Sequence, residues 1–293
     1  MKRLDPSSCS PSELFDFCIE EVADPVLSGR LVADKHLVLA KYEEYEAHSG
    51  TQTWCMLERA KHGHPDQVIV GSLTKGELKA LYTESMVASK GKARREYDQI
   101  KLIARDECPY CGGCGEMAVD DGIGSLDHFL PKSRFPVFSV LPANLVPACD
   151  VCNKGMGSRF PTDAFDQPLH PYYDAAHFFD EKWTTAEVVE HNPPIVNFDA
   201  CPPDAWSGED KQRALKHFEN CNLRGRYRSK VNSRISSIID QRKNAHRQLT
   251  AAQFRDGLRD VADNPVLPIN GWERTLYHAL AESDWFCDND FED

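Results

Sequence analysis

The apolar positions keep a helical period over two long stretches of the chain and lose it between them. Ser10-Pro11-Ser12-Glu13 forms a capping box with proline at the first helical position, followed by Leu14, Phe15, Cys18, Ile19 and Val22 on one face. A second helical pattern covers about 30–47. Thr74-x-x-Glu77 opens a third helix, with Leu78, Leu81, Tyr82 and Met86 on its apolar side, and a basic helix over about 91–105 leads into Cys108. The period returns from about 210, where Tyr227, Val231, Ile235, Ile238, Arg242 and Ala245 share a stripe. Thr250-Ala-Ala-Gln253 caps a further helix facing inward through Phe254, Leu258 and Val261, and a last helix surrounds Trp272, Leu276 and Leu280.

The middle of the chain is different. Residues 106–160 are rich in Cys, Gly and Pro, with short apolar runs. Residues 161–209 read as a loop-rich extension, with prolines at 161, 168, 171, 193, 194, 202 and 203. The expected fold class is α+β and mostly helical. A small metal-containing module (106–160) sits between a helical N-terminal region (1–105) and a helical C-terminal region (210–293). No internal repeat or low-complexity segment interrupts this plan.

Composition narrows the classes. The 293 residues suffice for one large domain or two smaller ones, and 41% hydrophobic with 27% charged residues is ordinary for a globular chain. No run of apolar residues is long enough to span a bilayer, so no membrane partner is expected. The opening "MKRLDPSSCSPSELF" has no apolar core of the secretory kind. A cytoplasmic, reducing setting is therefore expected, and clustered members of the 11 cysteines point to metal rather than disulfides. The net charge of −12 argues against a protein that coats nucleic acid. Locally the balance reverses. Lys211 to Arg247 holds eleven Lys or Arg against Glu219 and Asp240, and reads either as a DNA track or as solvated helix faces. Ala281 to Asp293 holds six acids and no base. It reads as a disordered, solubilising tail, with cover for the basic track or a docking site for a partner as the other readings.

Cys108-x-x-Cys111 and Cys149-x-x-Cys152 have zinc-knuckle spacing, and four thiolates around a tetrahedral ion make a closed structural site. Cys114 offers a competing register with Cys111, although Pro109 and Gly112 suit a tight turn at Cys108 and Cys111. A redox Cys-x-x-Cys lacks the strand-helix context it needs here. The stretch from Gly112 to Ala148 exceeds the roughly 15–20 residues of a simple zinc ribbon, so something is inserted. "GSLDHFL" reads as a strand over Ser125–Leu130 ended by Pro131, "ANLVPAC" as a second strand from Asn144, and "CNKGMGS" as the first turn of a helix with Asn153 near its start. Strand, strand and helix between two knuckles make a ββα unit.

The set Asp127-His128, Asn144 and Cys152-Asn153-Lys154-Gly155 resembles the HNH, or ββα-metal, endonucleases, including the HNH domain of RNA-guided CRISPR nucleases. The four cysteines resemble the zinc-stabilised branch of that family, and the likeness spans Cys108 to Ser158. Asn153 stands where the family often has histidine. The resemblance implies a phosphodiester hydrolase. His128 is its general base, Asp127 and Asn153 are oxygen ligands for Mg²⁺ or Mn²⁺, and Asn144 orients His128 or braces the loop between the strands. Lys132, Arg134, Lys154 and Arg159 are placed to touch phosphate, and DNA is the expected substrate. A zinc-ribbon scaffold without catalysis and an RNase on the same frame are the competing readings. His170 in "LHPYYD" reads as packing, with a substrate contact as its alternative, and His62 and His64 read as loop residues. The pattern around "LDHFLPKSRFP" and "HPYYD" also resembles HNH proteins of bacterial anti-phage loci of the Septu type. That implies a partner ATPase or sensor, and a second copy of the chain is among the expected partners.

Overall fold

The computed structural model describes residues 1–105, 107–113 and 124–291, apart from the side chain of Met156. The chain is α+β and mostly helical, with three two-stranded antiparallel sheets among the described residues. It divides into two compact units. One comprises residues 3–110 and 114–174; the other comprises residues 1–2, 111–113 and 175–293. The N-terminal helices and most of the cysteine-flanked segment thus share a unit, and the boundary near 174 falls inside the segment expected to be loop-rich.

In the first unit, α1 (Pro11–Glu20) starts at the Ser10–Glu13 capping box, with both reciprocal hydrogen bonds present. Helix α2 (Pro25–Thr51) is longer than its pattern suggests, because the Asp24 side chain caps it and Pro25 occupies its first turn. It buries Leu31, Val38, Tyr42 and Tyr45, with Phe15 edge-on to Tyr42 and Phe138 edge-on to Tyr45. A small hairpin, β1 (Val68–Val70) and β2 (Leu73–Thr74), runs into α3 (Lys75–Ala80) through the Thr74–Glu77 capping box. One π-helical stretch (Leu81–Val87) separates α3 from α4 (Lys92–Ile103).

The segment between the cysteine pairs contains β3 (Ser125–His128) and β4 (Leu145–Ala148), followed by α5 (Asp150–Met156). The two strands pair antiparallel, from Ser125 opposite Ala148 to His128 opposite Leu145. Three boundaries differ from the sequence pattern. Strand β3 stops at His128: Phe129 N–H still bonds to Asn144 O in register, but Leu130 N–H turns to the Asn144 side chain. Asn144 lies in a short 3₁₀ turn before β4. Asn153 is inside α5, because the helix begins at Asp150 with Cys149 as its N-cap.

In the second unit, α6 (His177–Asp180) precedes a regular hairpin, β5 (Thr184–Val189) and β6 (Ile195–Ala200). This corrects the expectation of loop over 161–209. Pro193 and Pro194 mark the turn, and Val196 and Phe198 alternate inward between exposed Asn197 and Asp199. Helices α7 (Gly208–Asn220), α8 (Leu223–Lys243), α9 (Ala251–Ala262), α10 (Trp272–Glu282) and α11 (Asp284–Asp288) complete the unit. Buried Asn270 binds its segments together: Oδ1 accepts from the Trp183 and Thr184 amides, and Nδ2 donates to Glu181 O.

The basic stretch is not a uniform exposed track. Arg213 is fully buried beneath the ring of Phe178, and Arg242 lies under Phe254 while donating to His246 O and Leu249 O. Arg224 pairs with Asp199, and Arg234 with Glu273. Ala245, expected on the α8 stripe, lies beyond the helix and is exposed. The acidic tail is likewise not a solvated coil over its described length. Phe286 and Cys287 of α11 are fully buried, and Phe286 stacks on Phe254 at 6.2 Å. Phe286→Ala should therefore cost about 3–5 kcal/mol, as for other large core truncations. Denaturant unfolding measures this, and an unchanged midpoint would return the segment to a solvated tail.

Candidate functional site

The four cysteines converge. The sulfurs of Cys108, Cys111, Cys149 and Cys152 all lie within 4.8 Å of one another, and all four residues are buried. Backbone amides point at the sulfurs: Cys149 N–H donates to Cys108 Sγ and Cys152 N–H to Cys149 Sγ, each at 3.4 Å. Gly112 adopts φ of 65°, the left-handed turn that the first knuckle needs directly after Cys111. Four sulfur donors in a closed, buried cluster fit a tetrahedral structural zinc. Cys114, the competing ligand, lies outside the described residues.

Beside this cluster an open cleft of about 400 Å³ is lined by Asp127, His128, Asn153, Lys132, Lys79 and Tyr82, among others. Ser125, Leu126, Asp127 and His128 line it consecutively. A sheet face would present only alternate residues, so the cleft runs along the edge of β3 that, among the described residues, no strand covers. This is how neighbouring Asp127 and His128 serve one cavity. Both are largely shielded from solvent, at 4% and 9% exposure. Tyr110 donates its hydroxyl to Asp127 Oδ2 at 3.2 Å.

His128 Nε2 lies 2.9 Å from Ser139 O. A carbonyl can only accept, so Nε2 carries the proton and the lone pair is left on Nδ1. Burial, followed by the charge of Lys132, pushes the imidazole down to about 3, so the ring is neutral at physiological pH. Its edge meets the Tyr82 ring at 4.3 Å between centroids. The Lys132 ammonium sits over the same ring at 4.1 Å and is lowered to about 8, first by burial and then by Lys79. Asn153 donates Nδ2 to Ser125 Oγ at 2.5 Å, which leaves its carbonyl oxygen for another partner. The carboxylate of Asp127 and the amide oxygen of Asn153 are oxygen donors that line one open cavity.

The other sequence candidates are distributed differently. Asn144 is fully buried and does not line the cleft. It accepts from Leu130 N at 2.7 Å and donates to Leu130 O and Phe138 O, which makes it the brace of the loop between the strands. Of the four basic candidates, Lys132 lines the cleft, whereas Arg134, Lys154 and Arg159 do not; Lys154 is exposed and faces Asp150 at 3.8 Å. His170 is fully buried among aromatic rings, with Nε2 3.0 Å from Tyr45 Oη and Nδ1 accepting from Tyr172 N–H, so it packs. The sequence pattern gave no notice of Lys79, Tyr82 or Ser139. Lys79 looks like an ordinary polar-face residue of α3, Tyr82 like core, and Ser139 acts through its carbonyl, which no side-chain motif records.

Over 299 aligned residues the chain is 32% identical to protein ea31 of Escherichia phage lambda, covering 98% of this chain and 99% of that protein. The chain belongs to the ea31 family. The ea31 match runs through both units, not only the cysteine-flanked segment. No family model matches the sequence, and no solved structure matches it. Among the described residues, no helix is long and apolar enough to cross a membrane.

Elemental analysis of the purified protein should find one zinc per chain. Cys149→Ser should lose that zinc and leave the protein insoluble, because it removes one of the four thiolate donors and metal binding and folding of this segment are linked. A soluble, folded and zinc-free Cys149→Ser protein would remove the metal from the fold.

Proposed function

We propose that this chain is a metal-dependent endonuclease of the HNH type, hydrolysing phosphodiester bonds of DNA. The observation that carries the reading is His128, a neutral histidine whose Nε2 proton is committed to Ser139 O, in one cleft with Asp127 and Asn153. With Nε2 committed to Ser139 O, Nδ1 is the ring nitrogen that would take the proton of the attacking water. Asp127 and Asn153 would hold the cation, with Tyr110 fixing the Asp127 carboxylate. When bound, Mg²⁺ or Mn²⁺ supplies Lewis-acid stabilisation of charge on the phosphate and on the departing oxygen. Lys132 and Lys79 bring positive charge to the same wall, which favours an anionic substrate. Asn144 maintains the loop that carries Ser139, and so the orientation of His128.

A purely structural zinc ribbon has no use for a neutral histidine beside two hard oxygen donors, which is why catalysis is preferred over scaffolding. The anti-phage setting and the partner ATPase or sensor rest on the sequence resemblance alone. The similar protein named above belongs to a phage.

Supercoiled plasmid, single-stranded DNA and RNA should be incubated with the protein in Mg²⁺ or EDTA. Nicking of the plasmid in Mg²⁺ alone is expected, since one such site cuts one strand. His128→Ala should slow it by about 10²–10⁴-fold while the denaturation midpoint holds. Undiminished nicking by folded His128→Ala would exclude His128 as the base, and cleavage confined to RNA would reassign the substrate.

A further inference from the structure

A second cavity, of about 270 Å³, is lined by His62, His64, Lys75, Lys79 and Ser133. Lys79 and Ser133 also line the cleft that holds Asp127 and His128, so the two cavities share a wall. We propose that this second cavity is a phosphate subsite, holding a neighbouring backbone phosphate of the strand whose scissile phosphate lies in the cleft. The assignment rests on the nuclease reading for its strand, and on the cavity itself for its ligand class.

The cavity is built rather than incidental. Gly63 has φ of 74°, a left-handed turn that sets His62 and His64 on the same cavity. The loop before α3 is tied down at both ends: Ala60 N–H donates to Arg134 O at 2.7 Å, and Gly76 N–H to Pro65 O at 2.8 Å. Lys75 is only 4% exposed and donates to Lys61 O at 2.5 Å, a carbonyl partner that leaves its charge uncompensated. Its ammonium is disfavoured by burial and then by Lys79 and Arg134, with no carboxylate acting in the opposite sense. Among the described residues, no Asp or Glu lines the cavity. Ser133 Oγ is shielded from solvent and has no hydrogen-bond partner among the described residues. Two ammonium groups, a hydroxyl and two imidazoles, each with an N–H in any protonation state, make a donor set without an internal acceptor of matching charge. A phosphodiester oxygen supplies both the charge and the acceptors.

The test reads binding, not cleavage. Labelled single strands of about 12 nucleotides, DNA and RNA in separate arms, are titrated by anisotropy against the full chain carrying His128→Ala without added Mg²⁺, over a salt series. Adding Lys79→Gln should weaken binding and reduce the slope of log K against log salt by about 0.7, the share of one single-strand phosphate contact. Adding His62→Ala with His64→Ala should weaken binding in the same arm with the denaturation midpoint unchanged. Unchanged affinity and slope in both variants would overturn the subsite, even if the unsubstituted chain cuts DNA. Slope loss in a chain that never cuts any nucleic acid would uphold the subsite and sink the nuclease reading. Absence of binding in both arms would sink both.

Discussion

Four thiol sulfurs gathered within 4.8 Å in a buried place are the constraint on which the site depends. As thiolates they would repel one another strongly at low dielectric, and a divalent cation is the natural way to reconcile their charge with their burial. The positional consequences run outward from them. Strand β4 leads directly into Cys149, and β3 is paired to β4 residue by residue, so the height of Asp127 and His128 is fixed relative to the sulfurs. Cys149 also starts α5, which sets Asn153 in the lining of the same cleft, against Ser125 of β3.

Between the strands, the chain is held by polar groups that are buried and satisfied. Asn144 spans Leu130 and Phe138, Tyr45 donates to Ala143 O, and Tyr172 donates to Leu145 O. Around them His170 packs against Trp54 and Phe129 as a neutral ring, acting as donor at one nitrogen and acceptor at the other. Buried polar networks of this kind fix one arrangement, because each alternative leaves a group unpaired. Burial also has a chemical side: the same exclusion of water that demands these bonds keeps His128 unprotonated.

How far the sequence discloses this depends on whether the signal is local. The capping boxes at Ser10, Thr74 and Thr250 are local chemistry, and the structure contains all three. The cysteine spacing and the strand-strand-helix order between the pairs are local too. The β5–β6 hairpin was hidden because its clustered prolines outweigh a weak alternation at Val196 and Phe198. Helix α11 was hidden because acids surround the two residues, Phe286 and Cys287, that bury it. In the cleft, Asp127, His128, Asn153 and Lys132 announced themselves by motif. Lys79 and Tyr82 reach it only through the packing of α3 and the turn after it, a long-range fact that no window of sequence contains. Arg134, Lys154 and Arg159 show the converse: nearness in sequence to the motif did not bring them to the cavity.

Ser139 has two bonds of different kinds. Its carbonyl receives the His128 Nε2 proton, and its hydroxyl donates to Leu78 O, the backbone oxygen immediately before Lys79. A single relay of two hydrogen bonds therefore joins α3 to the imidazole. In the language of instruments, the ring has two mounts: the strand that carries His128, and, through Ser139, the helix that carries Lys79. The orientation of the imidazole is therefore referenced to the cation beside it as well as to its own strand.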